Sequence, residues 1–285
     1  MSADAMRQAR VQAGYDEASR LRQSLDLASV LDWAPHHTLR ILDLGCGTGT
    51  LLAQAFERFP ALERAVGIDM LAARLDEAAE KLRGHGDKVG LIAADLTQSP
   101  EVDAPFDFIV MTSVLHWLYP HEDQVFRWIS QQIGADGHFV LTTYHPVADA
   151  DGLGGTDELV RQALQLLGDT KGAATARFAA HGVFPIARRT RSVRHLRALL
   201  SRHFDIDQSR PQEATMRAAS GEAYVRYHAA TFGTYYSQLA PPAKERLFFE
   251  ALGYLAEERM RRQGYITSMQ VRQWKCLPYR GGLPS

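Results

Sequence analysis

Three glycines at alternate positions, Gly45, Gly47 and Gly49, stand inside "ILDLGCGTGTLLAQAF", residues 41–56. Glycine loses the most backbone entropy on folding, so three together predict a tight turn whose backbone comes close to something. A strand, a glycine turn and a helix start bring free N–H groups and the positive end of a helix dipole to one point. The usual guest there is a dinucleotide held by G-x-G-x-x-G. Gly45 and Gly47 match its first two positions, but Thr50 stands at the third and the order is G-x-G-x-G. An NAD-type oxidoreductase therefore stays only as an alternative. Further on, "VGIDM" carries Asp69, 20 residues after Gly49. Asp69 either accepts both hydroxyls of a ribose or caps the helix that follows, and the glycine loop ahead of it favours the ribose. His116 and Trp117 in "TSVLHWLYP" offer an imidazole and a donor-only indole N–H. His116 reads as a base, as a donor to a carboxylate or as pocket wall. Tyr144 and His145 in "TTYHP" offer a phenol and a second imidazole, with a turn histidine before Pro146 as the other reading of His145.

The elements that must position these groups follow from the apolar pattern. "RILDLG", "ERAVGIDM", "KVGLIAADL", the start of "PFDFIVMTSVLHWL" and "HFVLTTYH" read as strands. "TLLAQAFERF", "LAARLDEAAEKLRGHG" and "HEDQVFRWISQQIGADG" read as helices between them. Buried apolar runs alternating with helices predict a parallel sheet covered on both faces, so the fold class is α/β. Residues 7–33 also read as helical, with Pro35 ending the helix. Beyond His145 the rhythm changes to a glycine-rich loop, "DADGLGG", and then a helix, "TDELVRQALQLLG". A capped helix and a strand follow in "RRTRSVRHLRALLSRHFDIDQ". Residues 213–260 read as mostly helical and aromatic, and "YITSMQVRQWKCL" reads as a closing strand.

"LDLGCGTG" resembles the signature loop of class I S-adenosylmethionine (SAM) methyltransferases, and "VGIDM", "AADL" and "FDFIVMTSVLHWL" resemble the family's next three stations in order. The resemblance covers residues 39–145. It implies a Rossmann-like class I methyltransferase fold, a mostly parallel seven-stranded sheet flanked by helices, with a helical lid insertion. It also implies SAM as cofactor and S-adenosylhomocysteine as product. The cofactor contacts it implies are Asp43, Gly45, Cys46, Gly47, Gly49, Asp69, Met70, Asp95, Leu96 and Thr112. Asp43 orients the loop, Cys46 is a small loop filler, Asp95 with the Leu96 amide beside it faces adenine, a turn aspartate being its other reading, and Met70 packs on the adenine or in the core. "AGYDEASRLRQ" resembles an N-terminal lid helix, with Tyr15 closing over the cofactor and Gln23 near the acceptor. The His-Trp pair resembles enzymes that esterify small carboxylic acids, of the trans-aconitate and juvenile hormone acid type. On that resemblance His116 and Trp117 carry the chemistry; the C-terminal edge of the fifth strand, where ligands bind in open α/β sheets, adds His145 to them and Tyr144 to the acceptor pocket, and the aromatic helical insertion adds His228 beside Trp117 and Gln23.

Methyl transfer from a sulfonium is an in-line displacement that needs alignment and dryness. A phenol or ammonium acceptor must shed a proton near neutrality, so a base helps. A carboxylic acid is already ionised and needs donors alone. The first choice of acceptor is a carboxylate oxygen of a small molecule of secondary metabolism. O- or N-methylation of a ring compound is the alternative, and a domain that binds SAM without turnover is a further one. The 32 basic and 33 acidic residues balance, which gives no electrostatic reason for a nucleic-acid or anionic membrane partner. The longest apolar run is too short to span a bilayer. Cys46 and Cys276 read as reduced thiols of a cytoplasmic protein. No metal is expected, and a monomer or homodimer is. The domain expectation is one methyltransferase domain over 1–285, with a lid helix at 1–35, a SAM-binding core at 36–145 and acceptor-site insertions at 146–190 and 210–262.

Overall fold

Apolar residues at both odd and even positions of the strands demand cover on both faces of the sheet, and the chain supplies it. A computed structural model describes residues 29–232 and 234–279. In chain order the first elements are β1 (Arg40–Leu44), α1 (Thr50–Arg58), β2 (Arg64–Asp69), α2 (Ala72–Leu82) and β3 (Val89–Ala93). Then come β4 (Phe106–Thr112), α3 (Glu122–Gln132), β5 (Ile133–His145), α4 (Thr156–Leu166), α5 (Lys171–Ala180) and the short α6 (Ile186–Arg189). The last are α7 (Val193–Leu200), β6 (Phe204–Met216), α8 (Gly221–Phe232), α9 (Thr234–Ser237), α10 (Glu245–Gln263) and β7 (Thr267–Pro278).

The strands form one seven-stranded sheet in the order β3-β2-β1-β4-β5-β7-β6. The pairs β1–β2, β1–β4, β2–β3 and β4–β5 are parallel, with Asp43 beside Gly67 and Val110, and Asp69 beside Ala93. Strand side chains alternate between faces. Leu42, Leu44, Val66, Ile68, Ile109 and Met111 join Phe126, Ile129 and Leu196 on one face. Ile41, Ala65, Phe108 and Val110 join Leu51, Leu52 and Ala55 of α1 on the other.

The chain divides into two compact units. Of the described residues, 29–145, 190–212 and 271–279 form the sheet unit, and those within 146–189 and 213–270 form the other. The second unit is organised around an aromatic core of Tyr224, Tyr227, Phe232, Tyr236 and Phe248, all buried. There α8 and α10 cross at Gly221 and Gly253. A Cβ on Gly221 would lie 2.4 Å from the Gly253 carbonyl oxygen, so the approach requires glycine.

Three details depart from the sequence reading. The helix expected through residue 137 stops at Gln132, and β5 begins at once, because Ile133 pairs with Phe106 before an irregularity brings His138 opposite Phe108. The helical stretch expected from residue 213 begins later, since β6 runs on to Met216 and Met216 accepts the Ile266 amide at 2.8 Å. Of the expected helix over 7–33, residues 7–28 lie outside the described residues, and Leu31–Trp33 form a single 3-10 turn.

Candidate active site

Gly45, Gly47 and Gly49 have φ of 76°, 55° and 73°, the left-handed region that costs other residues energy. At Gly45 space adds to the demand: a Cβ there would sit 2.2 Å from Cγ2 of Val114. At Gly49, the cap of α1, a Cβ would press on Ala78 and Leu82 of α2. The turn is pinned to β2, because the Gly45 and Cys46 amides both donate to the Ile68 carbonyl, at 2.7 and 3.0 Å. Asp69 holds it from the side. Its carboxylate accepts from the Gly47 amide at 3.0 Å and the Leu71 amide at 2.9 Å. Each oxygen keeps a further lone pair.

Asp43 is the next-to-last residue of β1, two before Gly45. It is buried, and its Oδ1 has no hydrogen-bond partner among the described residues. Burial, with the nearby Asp69 charge, pushes its carboxyl up to about 8. Cys46 lies over Gly67, where a Cβ would approach its sulfur to 2.7 Å, and burial drives its thiol far above the ordinary range. It fills space and is no nucleophile near neutral pH. Met70 is half-buried and Leu96 buried. Asp95 does not sit at the end of β3. It caps the 3-10 turn Leu96–Gln98, accepting from the Thr97 amide at 2.9 Å and the Thr97 hydroxyl at 2.8 Å.

Beyond Thr112, the end of β4, Ser113 takes φ 63°, a strained value for a serine. Strand β5 holds it there. The Ser113 amide donates to Thr142 Oγ1 at 3.2 Å, and its hydroxyl shares a short hydrogen bond with the Tyr144 phenol. The bend leads into the 3-10 turn Leu115–Trp117. The His116 ring is buried, 4.8 Å from the Trp117 ring and 6.0 Å from that of Tyr144. His116, Trp117 and Tyr144 are thus one cluster at the end of β4 and β5.

His145 is engaged differently. Its Nδ1 lies 3.1 Å from the Arg191 carbonyl, which can only accept, so Nδ1 carries the proton in the neutral ring. Nε2 then accepts from the Thr143 hydroxyl at 2.9 Å. Thr143 in turn accepts the indole N–H of Trp274 at 2.9 Å. Burial lowers the pKa of His145 and keeps the ring neutral. Both ring nitrogens serve the fold, which leaves no lone pair for an acceptor. His228 belongs to the other unit and is fully enclosed by Tyr224, Phe232, Tyr236, Phe248 and Phe249. Its ring nitrogens have no partner among the described residues, and burial pushes its pKa down to about 3. Tyr15 and Gln23 lie outside the described residues. Sequence reading missed Ser113, Thr142, Thr143 and Trp274, because only the pairing of β4, β5 and β7 makes them neighbours.

A family model described as a methyltransferase domain matches residues 41–137, which run from β1 into the start of β5. That segment is similar to methyltransferase domains. Trans-aconitate 2-methyltransferase of Streptomyces avermitilis is 33% identical over 112 residues, 38% of this chain and 40% of that protein. Malonyl-[acyl-carrier protein] O-methyltransferase of Bacillus anthracis is 26% identical over 134 residues, 46% of this chain and 48% of that protein. The chain thus spans less than half the length of these curated relatives. A mycolic acid cyclopropane synthase, solved with S-adenosylhomocysteine, superposes with a TM-score of 0.55 at 18% identity, covering 96% of this chain and 98% of that one. The chain therefore has the fold of the class I methyltransferases. Among the described residues, no helix is long and apolar enough to cross a membrane and no group of side chains is arranged to hold a metal.

Proposed function

We propose that the chain is a SAM-dependent methyltransferase that esterifies a carboxylate oxygen of a small molecule. One observation carries the SAM part of the reading: the left-handed glycine turn at the end of β1, pinned by Asp69, with a buried, unpartnered oxygen of Asp43 in the strand that leads into it. The chain's own residues fit SAM. Gly45, Gly47 and Gly49 add no side chains of their own to the turn, Asp69 keeps lone pairs for ribose hydroxyls, and Asp43 offers an unmet acceptor in the strand that leads into the loop. Asp95 stays in the proposal as the adenine contact, through the lone pairs its cap leaves over.

When bound, SAM supplies an electrophilic methyl group. The domain's task is then to align an acceptor oxygen in line with it and keep water out. Strained Ser113, held by Thr142 and Tyr144, aims the His116–Trp117 turn at this edge. Trp117 contributes an indole N–H for one carboxylate oxygen and an apolar face against water. His116 lines the same turn and positions the acceptor. A carboxylate needs no base near neutral pH, which accords with His145 having both nitrogens engaged. Two relatives, a trans-aconitate and a malonyl-[acyl-carrier protein] methyltransferase, support a carboxylate acceptor. The test is a panel of small acids and phenols with labelled SAM, run on wild type and Trp117→Phe. Base-labile methyl esters are expected, formed roughly tenfold more slowly by the variant. Unchanged turnover in the variant would remove Trp117 from the reaction, and label in phenol ethers alone would remove the carboxylate.

A further inference from the structure

Glu122 opens α3 and is 1% exposed, and its partner stands 69 residues later in the chain. Arg191 donates from Nε to one carboxylate oxygen at 2.8 Å and from Nη2 to the other at 3.0 Å. Its guanidinium also lies over the Tyr119 ring, 4.5 Å from the centroid, and its carbonyl accepts the His145 Nδ1–H. Side chain and backbone are thus both fixed. Tyr119 comes two residues after Trp117, and His145 directly follows Tyr144, so the arginine is anchored to both loops of the candidate site. A buried ion pair is a poor stabilising device, since apolar residues of like volume do as well. Its use here lies in what it presents. Glu122 occupies one long edge of the guanidinium, and Nη1, on the other edge, has no hydrogen bond among the described residues. The arginine side chain is 21% exposed and is the open member of the pair.

We propose that Arg191 is the specificity determinant for the acceptor, its remaining edge receiving a carboxylate in a two-point fork. The proposal rests on the carboxylate reading above. Arginine suits the task because its planar donors match two carboxylate oxygens and its rotamer is already fixed, so little entropy is lost on binding. Glu122 is a positioning residue that holds the fork and, at the N-terminus of α3, sits where a negative charge is favoured.

Removing Arg191 leaves Glu122 buried and unpaired, so the informative variant is Arg191→Lys, which keeps a cation but loses the fork. Wild type, Arg191→Lys and Arg191→Gln would be assayed with labelled SAM on a panel of carboxylic acids that includes citrate and benzoate. Benzenesulfonate would serve as an unreactive anionic competitor, and titration with S-adenosylhomocysteine would check folding and the cofactor site. Arg191→Lys should bind the homocysteine product within twofold of wild type. Its kcat/KM for ester formation should fall at least tenfold, chiefly through KM, with inhibition by benzenesulfonate weakened to match. Ester formation within twofold of wild type would overturn the role of Arg191 while leaving the carboxylate reading standing. A wild-type protein that methylates hydroxyls and no acid would overturn that reading and this one together.

Discussion

The Asp69 carboxylate accepts the Gly47 amide at 3.0 Å, so the last residue of β2 holds the middle of a turn that begins at the end of β1. The neighbouring strand β1 carries the buried Asp43, whose Oδ1 has no partner among the described residues, so the anchoring carboxylate is that of Asp69. The turn is shaped by the sheet before any cofactor arrives, and preorganisation of this kind lowers the cost of binding.

Gly45 is the position in the turn where backbone and space both exclude a side chain. Gly45→Ala should destabilise the fold by about 2–4 kcal/mol, the sum of a left-handed alanine and an overlap with Val114. Thermal unfolding measures this. Adding Val114→Ala should restore part of the loss, because it relieves the overlap and leaves the backbone strain. No partial rescue would mean that the contact with Val114 has no consequence.

Asp43 gives the stability a pH signature. Its carboxyl titrates at about 8 when folded against 3.8 ordinarily, so between those values the folded state holds a proton that the unfolded state has lost. Stability from this group is fully present below pH 4 and declines as pH rises toward 8, by at most about 1.4 kcal/mol per pH unit. Asp43→Asn cannot titrate. Denaturant unfolding from pH 5.5 to 8.5 should show the variant gaining on wild type as pH rises. Parallel curves would refute the assignment.

In the second unit, Asp157 accepts the Ile186 amide at 2.7 Å, the Ala187 amide at 2.9 Å and the Tyr236 hydroxyl at 2.5 Å. Asp157→Asn turns an NH2 toward one of those donors and should cost about 2 kcal/mol. Hydrogen exchange at the Ile186 and Ala187 amides should speed up, while amides of β1 and β2 keep their protection. Unchanged exchange at Ile186 and Ala187 would count against the staple.

The first five strands and the glycine turn were legible in the sequence because each depends on local order: an apolar run, then glycines, then a helix start. Asp69 was legible for the same reason. Asp95 was placed at a strand end, whereas β3 stops at Ala93 and the carboxylate caps the next turn, a choice set by Thr97 two residues on. The long-range pairings gave no signal. Nothing in "TTYHP" says that Arg191 and Thr143 will take both nitrogens of His145, and nothing in "HEDQ" says that Arg191 will take Glu122. The aromatic residues from Tyr224 to Tyr236 were visible as a group, but only packing shows them enclosed as the core of a unit.

The most direct measurement is calorimetric titration of the purified protein with S-adenosylhomocysteine, run in parallel with NADH on wild type and Asp69→Ala. Saturable binding of the homocysteine product to wild type, at least tenfold weaker in the variant, and no heat from NADH, is the predicted result. Binding of NADH alone would contradict the account, since the glycine turn would then serve a dinucleotide despite Thr50.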